Sequence, residues 1–390
     1  AEGDAEGGGT SLLGDERQAE VEGNLLVWHV ATGELVVDLK ADWPYNPDRW
    51  PYLQFAPDES MAIRVMHEGL ETITLPPVGT GTPQKSVFPI AHTAAVSVAP
   101  RRSQPLGGVA HLTVWIEEEG RERLILFRLL EDGTAEPLKN LKEISIAGSG
   151  EVDIKWSYDA SAFLVLSTVL FDENNNNYYG TTVLQHARLK EGECTRVPLD
   201  KDGPVHDVKW SPTSLEFVVI FGSMPAKALL YNHVSRPVFS YGSGSWNTVE
   251  WAPHGRFLCL AGFGSLAGQM EFWDKALGKK LGSGSARCAI YRQFSPCSRF
   301  FLTAVTYPGL RMDNEITLFK YDGSTLFREQ KINQLYQCEW RPSPKNKWED
   351  RSASPDVIDA MAAREEAAKQ ASKGDGSGRT CIGGGGAAGS

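Results

Sequence analysis

Few residues in this 390-residue chain stand at spacings that enzymatic reactions use. A phosphate-cradling loop would need G-x-x-x-x-G-K-[ST], and the sequence contains none. It also lacks G-x-S-x-G, the strained turn that exposes a hydrolase serine. The histidines form no H-E-x-x-H pair. The cysteines (Cys194, Cys259, Cys288, Cys297, Cys338 and Cys381) form no C-x-x-C, so they read as reduced and mostly buried rather than as a metal or redox centre. Gly262-Phe263-Gly264-Ser265-Leu266-Ala267-Gly268 superficially suggests a dinucleotide loop. Its glycine spacing is one residue too long, and the extended stretch 270–273 follows it, not a helix. Glycines that let a hairpin bend or two backbones approach fit it better. His206 and His254 stand next to strand ends and read as structural hydrogen-bonding groups. Trp273-Asp274, the one literal Trp-Asp pair, reads as a strand end followed by a turn-capping carboxylate. The sequence thus predicts no catalytic residue, no cofactor and no metal site, and the chain is expected not to be an enzyme.

What remains is binding chemistry. Met224-Pro225-Ala226-Lys227 presents a methionine and a lysine between two strong strands, as a packed turn or as a contact loop. Pro308-Gly309-Leu310-Arg311, with Met312-Asp313, is a second such loop, and Arg311 can meet a phosphate or a carboxylate. Lys275, Lys279 and Lys280 crowd the hairpin after Trp273. The asparagine run 174–177, with Tyr178 and Tyr179, is either a binding tip or an unconstrained insertion.

The net charge is −10, which excludes a generally basic nucleic-acid binder. The distribution is uneven. Residues 1–23 carry seven acids and one arginine, whereas residues 201–341 carry 11 acids against 16 bases. Only the later part of the chain is a candidate face for polyanions.

The elements that would position these loops repeat. An alternating strand ends in an aromatic, a small residue and often a proline; a polar turn and a strongly apolar strand follow. Copies begin at Tyr52, Val152, His206, Asn247 and Tyr291, with weaker ones at Ala95 and Tyr336. Trp156, Trp210, Trp251, Phe294 and Trp340 share one register, 54, 41, 43 and 46 residues apart. Each copy is followed by a second hairpin, whose tips ATGE, EDGT and YDGS have tight-turn chemistry. Two hairpins make a four-stranded blade, and blades bury their faces against one another. The expectation is an all-β, WD-repeat-like β-propeller of about seven blade equivalents over 24–343. It opens on an outer hairpin at 25–39 and closes on an inner strand at 337–341. Residues 1–23 and the Gly-rich end read as disordered, and 344–390 as a polar tail with a short helix at 357–371. No signal sequence opens the chain and no run of eighteen apolar residues occurs, so a soluble, cytoplasmic protein without membrane contact is expected.

The segments VHDVKWSPTSLEFVVIFGSMPAKALLYN, HGRFLCLAGFGSLAGQMEFWD and TAVTYPGLRMDNEITLFKYDGSTL resemble, in that order, eukaryotic translation initiation factor 2A. The resemblance covers roughly 24–343 and is most specific over 205–325. It implies a nine-bladed cytoplasmic propeller, association with the small ribosomal subunit, and GTP-independent delivery of initiator methionyl-tRNA on particular mRNAs. Other initiation factors are further possible partners. Against that family the chain reads as truncated by about two N-terminal blades. It also has a short neutral helix where the family carries a longer basic C-terminal region. Met224, Lys227, Lys275, Lys279, Lys280 and Arg311 are the candidate ribosome or RNA contacts, the cations by complementarity to phosphates. The alternatives are a general protein-interaction propeller and the related propeller of the b subunit of initiation factor 3.

Overall fold

Each copy of the repeat folds into an antiparallel sheet whose strands lie side by side in chain order. The structure, a computed structural model, describes residues 25–374 apart from 41–50, 68, 78–79, 102–107, 119–120, 139–140, 142, 147–149, 170–180 and 345–346. The segment 1–23, the asparagine run and the Gly-rich end lie outside the described residues. The sheets are blades I (54–89), II (93–146), III (151–196), IV (205–244), V (248–285) and VI (291–329), their strands lettered a to d along the chain. A two-stranded hairpin, Leu25–His29 with Glu34–Leu39, precedes blade I. Blade II has a fifth strand, Ile144–Ile146, which pairs with Arg121–Leu129.

A strand buried on both faces reads as a continuous apolar run, and strand b of blade IV, Phe217–Phe221, is buried at every position. Side chains alternate across a strand. Phe217, Val219 and Phe221 pack with Leu164 and Leu184 of blade III, while Val218 and Ile220 pack with Val249, Leu258 and Leu260 of blade V. The rule holds along the molecule: one apolar cluster joins each blade to the next, and another joins the first hairpin to blade I. Each fully buried phenylalanine contributes about 2–3 kcal/mol by area.

The aromatics in register do more than fill space. Trp210 Nε1 donates to the Lys155 carbonyl at 2.8 Å, Trp251 to that of Lys209 at 3.3 Å, and Trp340 to that of Gln293 at 3.1 Å. Each acceptor immediately precedes the equivalent aromatic one blade back: Trp156, Trp210 and Phe294. An indole N–H must find a partner when it is taken out of water, and here the partner sets the spacing between blades. The small residue that follows is buried and closes the a–b turn. Ser211 N–H donates to the Glu216 carbonyl at 2.7 Å, and Ala252 N–H to that of Phe257 at 2.9 Å. The predicted strand at 337–341 does not form. Trp340 keeps the indole bond of its register, but Pro342 and Pro344 follow at once, and no second strand pairs with it among the described residues.

The helix predicted at 357–371 spans Pro355–Gly374. Proline at its first position fits, because that N–H has no helical partner. A hydrogen bond from Ser354 holds the Asp356 carboxyl below the usual carboxylate range. The helix packs on the propeller: Ala353, Val357 and Met361 are buried in the cluster shared by blades V and VI. Arg364 Nη1 donates to the Leu281 carbonyl at 2.6 Å, and Tyr321 Oη lies 2.7 Å from Ser354 Oγ.

Candidate functional site

Up-and-down strand order puts every a–b and c–d turn at one end of the blades and every b–c and d–a connection at the other. These are called here the turn end and the loop end. Met224 lies in the b–c connection of blade IV, between Phe217–Phe221 and Ala226–Tyr231, and Lys227 opens the strand that follows. Arg311 lies in the b–c connection of blade VI, between Phe300–Val305 and Glu315–Lys320. Lys275 is in the c–d turn of blade V, and Lys279 and Lys280 open strand Lys279–Ser285. The six sequence candidates therefore divide: Met224, Lys227 and Arg311 at the loop end, the other three lysines at the turn end.

The lysines share one property. Lys227 pairs with Asp200, Lys280 with Glu271 at 2.7 Å, and Lys279 with Glu365 of the helix at 2.9 Å. Lys275 pairs with Glu216 and lies over the Trp251 ring, 6.0 Å from its centroid. Each positive charge is met locally, which weakens its pull on a distant phosphate. Met224, half-exposed, precedes a cis peptide bond to Pro225, whose carbonyl accepts from Lys201 Nζ at 2.6 Å. Arg311 is exposed and makes no ion pair or hydrogen bond among the described residues. Arg287, in the d–a connection from blade V to blade VI, and Lys331, just past strand d of blade VI, are exposed and unpaired in the same way. Sequence reasoning missed these two. The excess of bases over 201–341 was their signal, and it carried no position.

The remaining motifs take structural roles. Asp274, fully buried, accepts from Arg256 Nε at 3.0 Å and from the Ala276 and Leu277 N–H groups. His206 Nε2 is 2.9 Å from the Gly222 carbonyl and His254 Nε2 is 2.9 Å from that of Trp348. In the 262–268 loop, a Cβ on Gly262 would stand 2.1 Å from the Ser245 carbonyl oxygen. One on Gly268, at φ +77, would stand 2.3 Å from that of Ala286. Those glycines let the b–c loop approach the backbone of the connections that enter and leave blade V. His111 and His186 are buried, and desolvation pulls each imidazole from 6.5 down to about 4, helped by Arg128 and Arg188 respectively.

At the turn end, the a–b turns of blades II to VI surround a mouth of about 1070 Å³. Pro100, Pro212, Pro253 and Pro296 line it together with Trp156 and Trp340. Among the described residues no group of three or more His, Cys, Asp or Glu is placed to hold a metal ion, and no helix is long and apolar enough to cross a membrane.

A family model described as eukaryotic translation initiation factor eIF2A matches residues 145–338. Proteins named eukaryotic translation initiation factor 2A from Dictyostelium discoideum and Schizosaccharomyces pombe are 30% and 32% identical over 339 and 334 residues. Each match covers 85% of this chain, and 53% and 55% of those proteins, so the chain spans about half the length of the curated relatives it matches. A solved crystal structure of a eukaryotic initiation factor superposes with a TM-score of 0.65 at 28% identity, covering 82% of this chain and 74% of that one. The b subunit of eukaryotic translation initiation factor 3 from Xenopus laevis matches more weakly, 28% identical over 201 residues, 47% of this chain and 29% of that protein.

Proposed function

This chain belongs to the eukaryotic translation initiation factor 2A family, and from that premise we propose that it is a translation initiation factor that works by binding rather than by catalysis. In this reading it acts in the cytoplasm, docks on the small ribosomal subunit and promotes GTP-independent binding of initiator methionyl-tRNA on particular mRNAs. Other initiation factors are further partners. The observation that carries the reading is where the most particular segments of the resemblance lie. Met224-Pro225-Ala226-Lys227, the 262–268 loop and Pro308-Gly309-Leu310-Arg311 are the b–c connections, or their margins, of three successive blades, all at the loop end. Blades IV, V and VI are joined each to the next by buried clusters, which hold such loops in fixed relation and suit them to a large, shaped partner. Delivery of one macromolecule to another asks for surfaces and not for a nucleophile. The test is co-sedimentation of the full chain with small ribosomal subunits over a salt series. Binding that weakens with salt is expected; a folded chain that stays in the supernatant at low salt removes the reading.

One observation favours a second reading, a protein-interaction scaffold. Prolines and aromatics dominate the turn-end mouth, and such a lining suits an extended proline-rich peptide. Partners that remain bound after nuclease treatment, and are lost on Trp156→Ala, would favour it.

A further inference from the structure

We propose that the loop end of blade VI is a binding site for single-stranded RNA, with Arg287, Arg311 and Lys331 on the phosphate backbone and Tyr336 as a stacking platform for a base. The proposal rests on the initiation-factor reading for the choice of RNA as the polyanion, and on the structure for the site.

Strand order brings the three cations together although they are spread over 45 positions of sequence. Arg287 and Lys331 line a cleft of about 300 Å³ together with Leu310 and Asp313, the residues that bracket Arg311 and Met312. Two carboxylates also line it. Glu315 is already engaged by Arg328 Nη2 at 2.8 Å and Gln330 Nε2 at 3.1 Å, which leaves Asp313 alone against three unpaired cations. The lysines at both ends of blades IV and V have acids of their own; these three do not. Unpaired positive charge around a cleft is what a phosphodiester backbone recognises, and two of the three are arginines, whose planar, weakly hydrated heads suit phosphate oxygens.

The second observation is aromatic. Tyr336 is 62% exposed, and its ring rests on that of Tyr307 with centroids 5.4 Å apart. Asn314 pins the assembly. Its side chain, almost wholly buried, donates to the Leu310 carbonyl at 2.7 Å and accepts from the Leu335 N–H at 3.0 Å; its carbonyl accepts from the Ile332 N–H at 3.0 Å. Tyr307 N–H donates to the Leu335 carbonyl at 2.6 Å. Arg311, Lys331 and Tyr336 are therefore tied to one frame. Exposed Met312 and Ile290 add apolar surface beside it. Cations with an exposed, supported aromatic are the elements of a single-strand platform, where stacking tolerates any base. A phosphopeptide would need the cations but not the tyrosine.

The experiment is fluorescence anisotropy of a labelled single-stranded RNA of mixed sequence with the full chain, repeated over a salt series. Three phosphate contacts predict a log–log salt slope of about −2. Arg287→Glu with Arg311→Glu and Lys331→Glu should weaken binding at least tenfold and flatten the slope. Lys190→Glu with Arg236→Glu, a pair of cations at the turn end, should leave it unchanged. Tyr336→Ala should cost about fivefold or more at every salt concentration. RNA binding by the triple variant equal to that of the unsubstituted chain, with unchanged circular dichroism and melting, overturns the site. An unchanged Tyr336→Ala affinity overturns the RNA assignment in favour of a plain polyanion patch. Small-subunit sedimentation separates the two readings. RNA binding lost in the triple variant, from a chain that never sediments with subunits, keeps the site and removes the initiation-factor role. Sedimentation that survives in a triple variant with full RNA affinity does the reverse.

Discussion

The turn end and the loop end of the blades are made of the same strands but spend their polar groups differently. At the turn end of blades III to V many are used internally. The tryptophans donate to carbonyls of the preceding blade, Asp274 closes its turn and holds Arg256, and the helix brings Glu365 to Lys279. At the loop end of blade VI the frame is also hydrogen-bonded, through Asn314, yet Arg287, Arg311 and Lys331 make no ion pair among the described residues. The difference teaches that exposed charge is a poor guide to a binding face until its local partners are known. Lys275, Lys279 and Lys280, crowded on one short hairpin, are neutralised; Arg287, Arg311 and Lys331, scattered through the sequence, are not.

Five substitutions and one titration test that division. The largest effect belongs to the strands both ends share. Phe217 is fully buried, stacked on Tyr231 at 5.3 Å and edge-on to Trp210 at 5.0 Å. Phe217→Ala should cost about 3–5 kcal/mol in urea unfolding, and should leave RNA affinity per folded molecule unchanged.

Acid should come next. His111 and His186 stay neutral in the fold down to about 4, whereas the unfolded chain takes up the proton near 6.5. Their contribution to stability is complete above pH 6.5 and is lost as pH falls from there to about 4. The loss amounts to at most about 3 kcal/mol for each. The melting temperature should fall through that window, and His186→Gln should flatten the fall; an unchanged profile in the variant would place the acid sensitivity elsewhere.

Trp340→Phe keeps an aromatic ring and deletes the bond to Gln293, so about 1 kcal/mol is expected. The smallest effects separate the ends most sharply. Lys279→Ala should cost under about 1 kcal/mol, as exposed pairs do, and Arg311→Ala should lie within about 0.5 kcal/mol of zero while it weakens RNA binding. If Arg311→Ala proves as destabilising as Trp340→Phe, the loop end is structural after all.

The blades were legible because their physics is local. A period-two pattern, an aromatic at a fixed place and a turn behind it are all written within about twenty residues, and Trp156, Trp210 and Trp251 hold the register expected of them. The glycine loop at 262–268 and the Trp273-Asp274 pair were legible for the same reason. What stayed hidden depends on separation. Lys275 meets Glu216 across 59 positions and Lys279 meets Glu365 across 86, so no reading of the 273–280 hairpin alone could show either lysine as engaged. The same distance concealed Arg287 and Lys331 beside Arg311. The packing of the helix was concealed by composition, since its buried apolar contacts among the described residues are Ala353, Val357 and Met361, set within a polar stretch. Trp340 shows the converse: its local pattern asks for a strand, but a strand needs a neighbour to bond with.

The apolar clusters that join each blade to the next give the molecule the mechanics of a row of hinged plates rather than of a single block. No plate has a core of its own, and rigidity resides in the joints. A lesion in one joint is felt by the two plates that share it and fades beyond them. Amide exchange should therefore be slowest at Phe217–Phe221 and Phe257–Ala261, between intact joints, and faster in the 25–39 hairpin, which among the described residues is anchored from one side.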